Sequence, residues 1–281
     1  MVFLFRLLGR LPLGLLHVLG ALAGWATYLL SPTYRLHLQE NVRQAGLGDD
    51  VRRATIGAAG KQMLELARIL SKPQAEASTL VAEVHGWEHV EAAQCAGRGI
   101  IFLTPHLGCF EITAQYYSGF GDITVLYRAP RQAAIQQMIL GGRQREHLHL
   151  APADVSGVRA LIKALKKGQA IGMLPDQAPK VGEGVWLKFF GRWAYTMTLA
   201  GRLTETGATT LMAWGERLPG GRGFRLHIRP PLSPLAGATV DRAQQINFEI
   251  EALIRECPAQ YLWGYNRYKR PGGAEPPPEQ G

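Results

Sequence analysis

At 281 residues, 47% of them hydrophobic and 19% charged, the chain is long enough for one sizeable α/β domain and too short for two full ones. Lys and Arg outnumber Asp and Glu by 31 to 22, a net charge of +9, so an anionic partner is implied. No helix-turn-helix, zinc-finger or RNP pattern accompanies the charge, which argues against nucleic acid and for an anionic membrane surface or an acidic protein. The three cysteines, Cys95, Cys109 and Cys257, show no CxxC spacing and fit a reducing compartment better than a disulfide framework.

Residues 2–30 are mostly apolar, and Leu11 to Leu30 carries only His17, Thr27 and Tyr28 as polar groups. About 20 such residues suffice to cross a hydrocarbon core of roughly 30 Å as a helix. A cleavable signal peptide would use Arg6 and Arg10, Leu11 to Leu19, and Ala21-Leu22-Ala23 as its three parts. Hydrophobicity continues past that site to Leu30, so residues 1–30 are read as a retained membrane anchor helix, spanning or lying in the interface. Arg35, Arg43, Arg52 and Arg53 follow it and place the main domain on the cytoplasmic side.

Ser31-Pro32 ends the anchor. Helical spacing follows over Tyr34 to Ala45 and Val51 to Leu70, with Asp49-Asp50 placed to cap the second helix. Strands are expected at Val81 to Val84, Ile100 to Leu103, Ile123 to Tyr127, Ala170 to Leu174, Thr209 to Trp214 and Phe224 to Ile228. Helices are expected at Trp87 to Cys95, after Gly108, and over Gln132 to Arg145, Val158 to Lys167, Thr198 to Thr206 and Asp241 to Glu256. The alternation predicts an α/β fold with a mixed central sheet flanked by helices, over residues 31–270. The tail, 271–281, holds Pro276-Pro277-Pro278 and is expected to be disordered.

Chemistry concentrates at Ile100 to Glu111. The apolar run after Gly97-Arg98-Gly99 reads as a buried strand, and Thr104-Pro105 breaks it. His106 then sits at a strand-to-helix corner, with Glu111 about one turn into the helix. A carboxylate there can bend back, hold one imidazole tautomer and stabilise the imidazolium, a dyad able to deprotonate an alcohol. Backbone donors around Leu107-Gly108, or Arg128, are candidates for an oxyanion site. Arg128 follows the strand Ile123 to Tyr127, where its guanidinium can clamp a phosphate or carbonyl oxygen. Asp176 follows the strand Ala170 to Leu174 and could orient Arg128; Gln177 is its neighbour.

Other signals are weaker. Cys109 has only His106 nearby to lower its pKa. Gly182-Glu183-Gly184 lacks the Lys-Ser/Thr of a P-loop and suits a loop over a groove walled by Phe189 and Phe190. His147 and His149 match no zinc spacing, so no metal is expected. Tyr261, Trp263, Tyr265, Arg267, Tyr268, Lys269 and Arg270 mix aromatics with positive charge, as a headgroup interface does.

The segment His106 to Glu111 resembles the His–four residues–acid motif of glycerolipid-type acyltransferases. Leu126-Tyr127-Arg128-Ala129-Pro130, Leu174-Pro175-Asp176-Gln177, Phe189-Phe190-Gly191 with Ala194-Tyr195-Thr196, and Gln260-Tyr261-Leu262-Trp263 follow in order. Together they resemble the lipid A biosynthesis (late, secondary) acyltransferase family over roughly residues 100–270. The resemblance implies a glycerolipid acyltransferase-like fold, with His106 and Glu111 catalytic and Arg128, Asp176 and Gln177 binding substrate. It implies direct acyl transfer from acyl-acyl carrier protein to a lipid A precursor at the cytoplasmic face of the bacterial inner membrane, with no cofactor. Tyr265-Asn266-Arg267 stands where the family usually has His-Arg-Arg, and Cys109 where Asn is usual; both leave acceptor and acyl chain open. The alternatives are an acyl-CoA-dependent acyltransferase on another lipid, or a non-enzymatic anionic-lipid-binding protein.

Overall fold

Residues 2–127, 137, 140–143 and 145–279 are described by the computed structural model. The apolar N-terminus forms two helices, α1 (Val2–Leu8) and α2 (Leu13–Leu30), interrupted at Gly9 and at Pro12, which has no amide proton to continue a helix. α3 (Pro32–Gln44) begins where the Ser31 hydroxyl accepts from Tyr34 N–H, and α4 (Asp49–Leu70) carries Asp49 and Asp50 in its first turn. α5 (Gln74–Ser78), β1 (Val81–His85), α6 (Trp87–Ala96), β2 (Ile100–Leu103), α7 (Phe110–Tyr117) and β3 (Ile123–Tyr127) follow. Then come β4 (Leu148–Pro152), α8 (Val155–Lys166), β5 (Ala170–Met173), the hairpin β6 (Gly184–Phe189) and β7 (Arg192–Met197), and α9 (Leu199–Thr204). β8 (Thr209–Arg217), β9 (Phe224–Arg229) and α10 (Thr239–Glu256) follow.

Seven strands form one sheet in the order β1-β9-β8-β2-β5-β3-β4, antiparallel only between β8 and β9. β2 and β5 lie at its centre, buried on both faces, which is why each reads as an unbroken apolar run. Alternate residues feed two cores. Ile101 and Leu103 meet Leu161, Ile246 and Leu253 on one side; Ile100 and Phe102 meet Val90 and Tyr117 on the other. β4 falls where the sequence offers only the alternation of His147 and His149. The helix expected over 132–145 lies mostly outside the described residues.

α2 is long and apolar enough to cross a membrane by length and composition, with a third of it buried in the protein. Its buried face packs on α4, backbone to backbone. A Cβ on Gly24 would stand 2.2 Å from Ile56 O, and one on Gly60 1.9 Å from Gly20 O. In the same interface His17 Nε2 lies 3.3 Å from Glu65 Oε2. Glu65 receives both arms of Arg217 at 2.7 Å. Burial pushes the Glu65 carboxyl up, but Arg217 and His17 outweigh it and hold it below the usual range. The other face of α2 exposes Leu15, Val18, Leu22, Trp25 and Leu29. Among the described residues no helix or strand follows residue 270, and Trp186 Nε1 donates to Glu275 O at 2.9 Å.

Arg217→Met strands the Glu65 carboxylate in the interior and is expected to cost about 3–5 kcal/mol in chemical unfolding. Glu65→Leu/Arg217→Met is expected to recover most of that loss. A double variant no more stable than the single would contradict the pairing.

Candidate active site

β2 and β5 run parallel in register, with Leu103 opposite Met173 and Thr104 N–H donating to Met173 O at 3.0 Å. Three residues beyond each strand end stand His106 and Asp176. Strand carboxyl ends are where open α/β sheets place ligands. Asp176 Oδ1 lies 2.8 Å from His106 Nδ1, and Asp176 Oδ2 accepts the His106 backbone N–H at 2.9 Å. Gln177 Nε2 lies 3.1 Å from His106 Nε2. A carboxylate accepts only, so Nδ1 carries the proton and Nε2 presents its lone pair, to which the Gln177 amide donates. That is the protonation state of a general base.

Asp176 is 1% exposed. Burial pushes its carboxyl up, but the interaction with His106, through the ring N–H and the backbone N–H, outweighs it and holds the group below the usual range. Tyr261 packs behind it, its phenol pushed well above the ordinary value by burial and then by the Asp176 carboxylate. Burial lowers Arg267 nearby, whose guanidinium donates to Tyr195 O and Thr196 Oγ1, both at 2.8 Å.

The loop after His106 is fastened on three sides. His106 O accepts from Leu262 N–H at 3.1 Å, Gly108 N–H donates to Gln260 O at 3.0 Å, and Cys109 N–H donates to Gly215 O at 2.7 Å. Gln62 Nε2 of α4 donates to Gly108 O at 2.9 Å. Gly108 has φ +57°, and a Cβ there would lie 2.1 Å from Gly215 O, so only glycine fits. Leu107 N–H is also taken, by Pro105 O at 2.7 Å. The Leu107 and Gly108 amides, candidates for an oxyanion site, are therefore already spent within the protein.

Glu111 is placed differently from the sequence expectation. It occupies the first turn of α7, but its carboxylate receives Arg143 Nε at 3.1 and 3.0 Å and Arg143 Nη2 at 2.6 Å. Gln115 Nε2 adds a contact at 3.4 Å. Both ring nitrogens of His106 are occupied by Asp176 and Gln177, and the side chain closing on the imidazole from α7 is Phe110, ring centroids 4.9 Å apart. The acid that steers the imidazole in this structure comes from the next strand, not from one helical turn downstream. Asp176 pairs with His106 where an Arg128 partner was expected, and Arg128 lies outside the described residues.

Two other expectations are corrected. Phe189 and Phe190 sit in the core against Trp263 and Tyr268 instead of walling a groove. Tyr261, Trp263 and Arg267 are buried, so of the aromatic-basic stretch only the end, Lys269 and Arg270, is exposed. Cys109 is buried at the start of α7, its thiol pushed well up by burial, the opposite of an activated nucleophile. His147 and His149 both reach Asp122 Oδ1, at 3.0 and 3.2 Å. Arg143 and Gln62 had no local signal, since each acts on a residue more than 30 positions away.

Residues 44–270 match the profile of the bacterial lipid A biosynthesis acyltransferases. The chain is 29% identical to the lipid A biosynthesis lauroyltransferase of Escherichia coli K12 over 195 residues, 68% of this chain and 63% of that protein. It is 27% identical to the lipid A biosynthesis palmitoleoyltransferase of the same organism, over 68% of this chain and 63% of that one. Against a lipid A biosynthesis acyltransferase of Haemophilus influenzae the identity is 24%, over 65% and 57%. The matched region thus spans less than two thirds of the length of each of these relatives.

Because the folded-state pKa of Asp176 is depressed, its contribution to stability is present above the unfolded carboxyl value of about 3.9 and is lost as pH falls through the lower folded value. Asp176→Asn is expected to lower the chemical-unfolding midpoint at neutral pH, the gap to wild type closing as pH falls below the ordinary carboxylate range. A gap that stays constant through that window would contradict an ionised, paired Asp176.

Proposed function

Because the chain belongs to the bacterial lipid A biosynthesis acyltransferase family, we propose that it is a membrane-bound O-acyltransferase that moves a fatty acyl chain from acyl-acyl carrier protein to a hydroxyl of a lipid A precursor. The observation that carries the mechanism is the His106–Asp176 pair beyond the carboxyl end of β2, with Nε2 met by the Gln177 amide. The acceptor hydroxyl takes the place of the Gln177 amide at Nε2 and gives its proton to His106. The oxygen attacks the thioester carbonyl, the C–O bond forms, and a tetrahedral intermediate collapses with loss of the C–S bond. The imidazolium returns the proton to the leaving thiolate. Asp176 holds Nδ1–H throughout and stabilises the imidazolium. General-base help of this kind typically gives 10²–10⁴-fold, roughly 3–5 kcal/mol of barrier.

With the Leu107 and Gly108 amides engaged, the displaced Gln177 amide is the donor beside the developing oxyanion, and Arg128 keeps the substrate-clamping role implied by the family motif. Glu111 acts at one remove, fixing Arg143 and through it the segment that follows residue 140. A thioester is already activated, so the step needs no cofactor. The net charge of +9 suits both an acidic carrier protein and an anionic membrane.

The N-terminal helices give the membrane contact. α2 is fixed lengthwise on α4 by glycines and by His17, and offers an apolar stripe on its free face. That geometry suits a helix lying in the interface, at the cytoplasmic face of the inner membrane, where the precursor and the carrier protein meet. Leu22→Glu/Leu29→Glu alters two exposed positions and is expected to release the folded protein from membranes on ultracentrifugation; full retention would favour a different membrane contact.

Three variants test the chemistry with purified acyl-carrier thioester and lipid A precursor. His106→Ala is expected to abolish transfer, and Asp176→Asn to lower kcat by roughly 10²–10⁴-fold with little change in KM. Glu111→Gln is expected to lose less than Asp176→Asn. Unimpaired transfer by His106→Ala would favour a lipid-binding protein without chemistry, and a mass spectrum of the product showing no gain of one acyl chain would remove the acceptor.

A further inference from the structure

We propose that the cavity between α1, the C-terminal end of α4 and Gly141–Gly142 is a binding site for a phosphate monoester, the headgroup of an anionic lipid, held by Arg6, Arg10 and Lys72. The cavity measures about 660 Å³, large enough for a substituted headgroup. Arg6, Arg10 and Lys72 line it together with Ser71. Lys72 is paired with Glu76 at 2.8 Å, whereas neither arginine has a carboxylate partner among the described residues. Two uncompensated guanidinium groups on one concave surface repel each other until an anion joins them. Two positive charges match a dianion better than a carboxylate, and the guanidinium fork matches phosphate oxygens.

The obvious objection is that two helices end here, and helix C-termini repel anions. Their carbonyls are already occupied. Phe5 O accepts from Gly9 N–H at 2.9 Å, Leu7 O from Arg10 N–H at 3.1 Å, and Ala67 O from Ser71 N–H at 3.2 Å. Gly9 O accepts Arg68 Nη1 at 3.1 Å. Arg68 adds a positive charge behind Gly9, which lines the cavity, and its Nε is buried without a partner among the described residues. The local field is therefore positive despite the helix ends.

Position distinguishes a lipid from a soluble phosphate. On α1, Phe3 is 80% exposed and Leu7 46% exposed, continuing the apolar face of α2. A bilayer reached by these side chains brings its headgroup layer to the cavity. The far wall is tied to the catalytic corner: Gly142 precedes Arg143, which grips Glu111 at the start of α7, and Arg145 Nη2 donates to Lys72 O at 2.6 Å. One molecule held by its phosphate here is thus framed by the same segment that grips Glu111, five residues after His106. That this lipid is the acyl acceptor rests on the function proposed above; the site itself does not.

Binding to the full chain in neutral detergent micelles tests it without catalysis, with dihexanoyl phosphatidic acid, phosphate-free dihexanoylglycerol and inorganic phosphate as probes. Wild type and His106→Ala are expected to bind the phosphatidic acid equally, and neither the diacylglycerol. Arg6→Ala/Arg10→Ala is expected to weaken it by about tenfold or more, in keeping with loss of two charge-assisted contacts. Arg98→Ala/Arg202→Ala removes the same charge from exposed positions elsewhere and is expected to bind as wild type. Weak competition by inorganic phosphate supports a lipid source, and equal competition supports the same site for free phosphate. No binding by wild type, or equal weakening by both double variants, would overturn the site. A protein that transfers no acyl chain but shows this binding pattern keeps the site and loses only the acceptor assignment.

Discussion

Parallel pairing of β2 with β5 is the constraint on which the candidate site depends. It sets two chain segments 70 residues apart side by side with their carboxyl ends level, so that His106 and Asp176 leave the sheet as neighbours. Asp176 is buried and ionised, a state that would be costly without a partner and is maintained because His106 supplies both a ring N–H and a backbone N–H. The same pair does two jobs. It stabilises the corner, and it leaves the remaining imidazole nitrogen as an acceptor, capped by the Gln177 amide.

That corner is joined to the apolar N-terminal helices by a continuous set of contacts. Gln62 of α4 holds Gly108 O; Gln260 O holds Gly108 N–H; the Gln260 amide exchanges hydrogen bonds with the Arg217 backbone, Oε1 accepting at 2.8 Å and Nε2 donating at 3.1 Å. Arg217 in turn holds Glu65, against which His17 of α2 rests. The apolar N-terminal helix is therefore not a tether beside an independent domain. Its glycine face and its histidine are part of the packing that fixes the loop after His106. On the function proposed, this arrangement registers the exposed apolar face of α2 to the loop after His106.

Much of this was legible in the sequence. The buried runs of β2 and β5, the Thr104-Pro105 break and the strand-to-helix corner at His106 follow from local pattern, and Asp176 and Gln177 were visible as residues at a strand end. What was not legible was partnership. Glu111 looked like the steering acid because it is near in sequence, whereas strand order, which brings Asp176 across, is settled by long-range pairing that no local window contains. The same holds for Arg143 and Gln62. Burial misled the reading of Tyr261 to Arg267: mixed aromatic and basic residues look like an interface until Arg267 is seen to satisfy Tyr195 O and Thr196 Oγ1 inside the protein. Gly20 and Gly24, which an apolar run alone does not distinguish, are the close-contact points of α2 with α4.

Nitrogen NMR of histidine-labelled protein in micelles, with His106 assigned by subtracting the His106→Ala spectrum, decides whether Asp176 or Glu111 sets the state of the His106 ring. A neutral ring protonated at Nδ1 is expected, a pattern retained in Glu111→Gln and lost in Asp176→Asn. A ring protonated at Nε2 in the wild type, or one that changes tautomer in Glu111→Gln and not in Asp176→Asn, would contradict it.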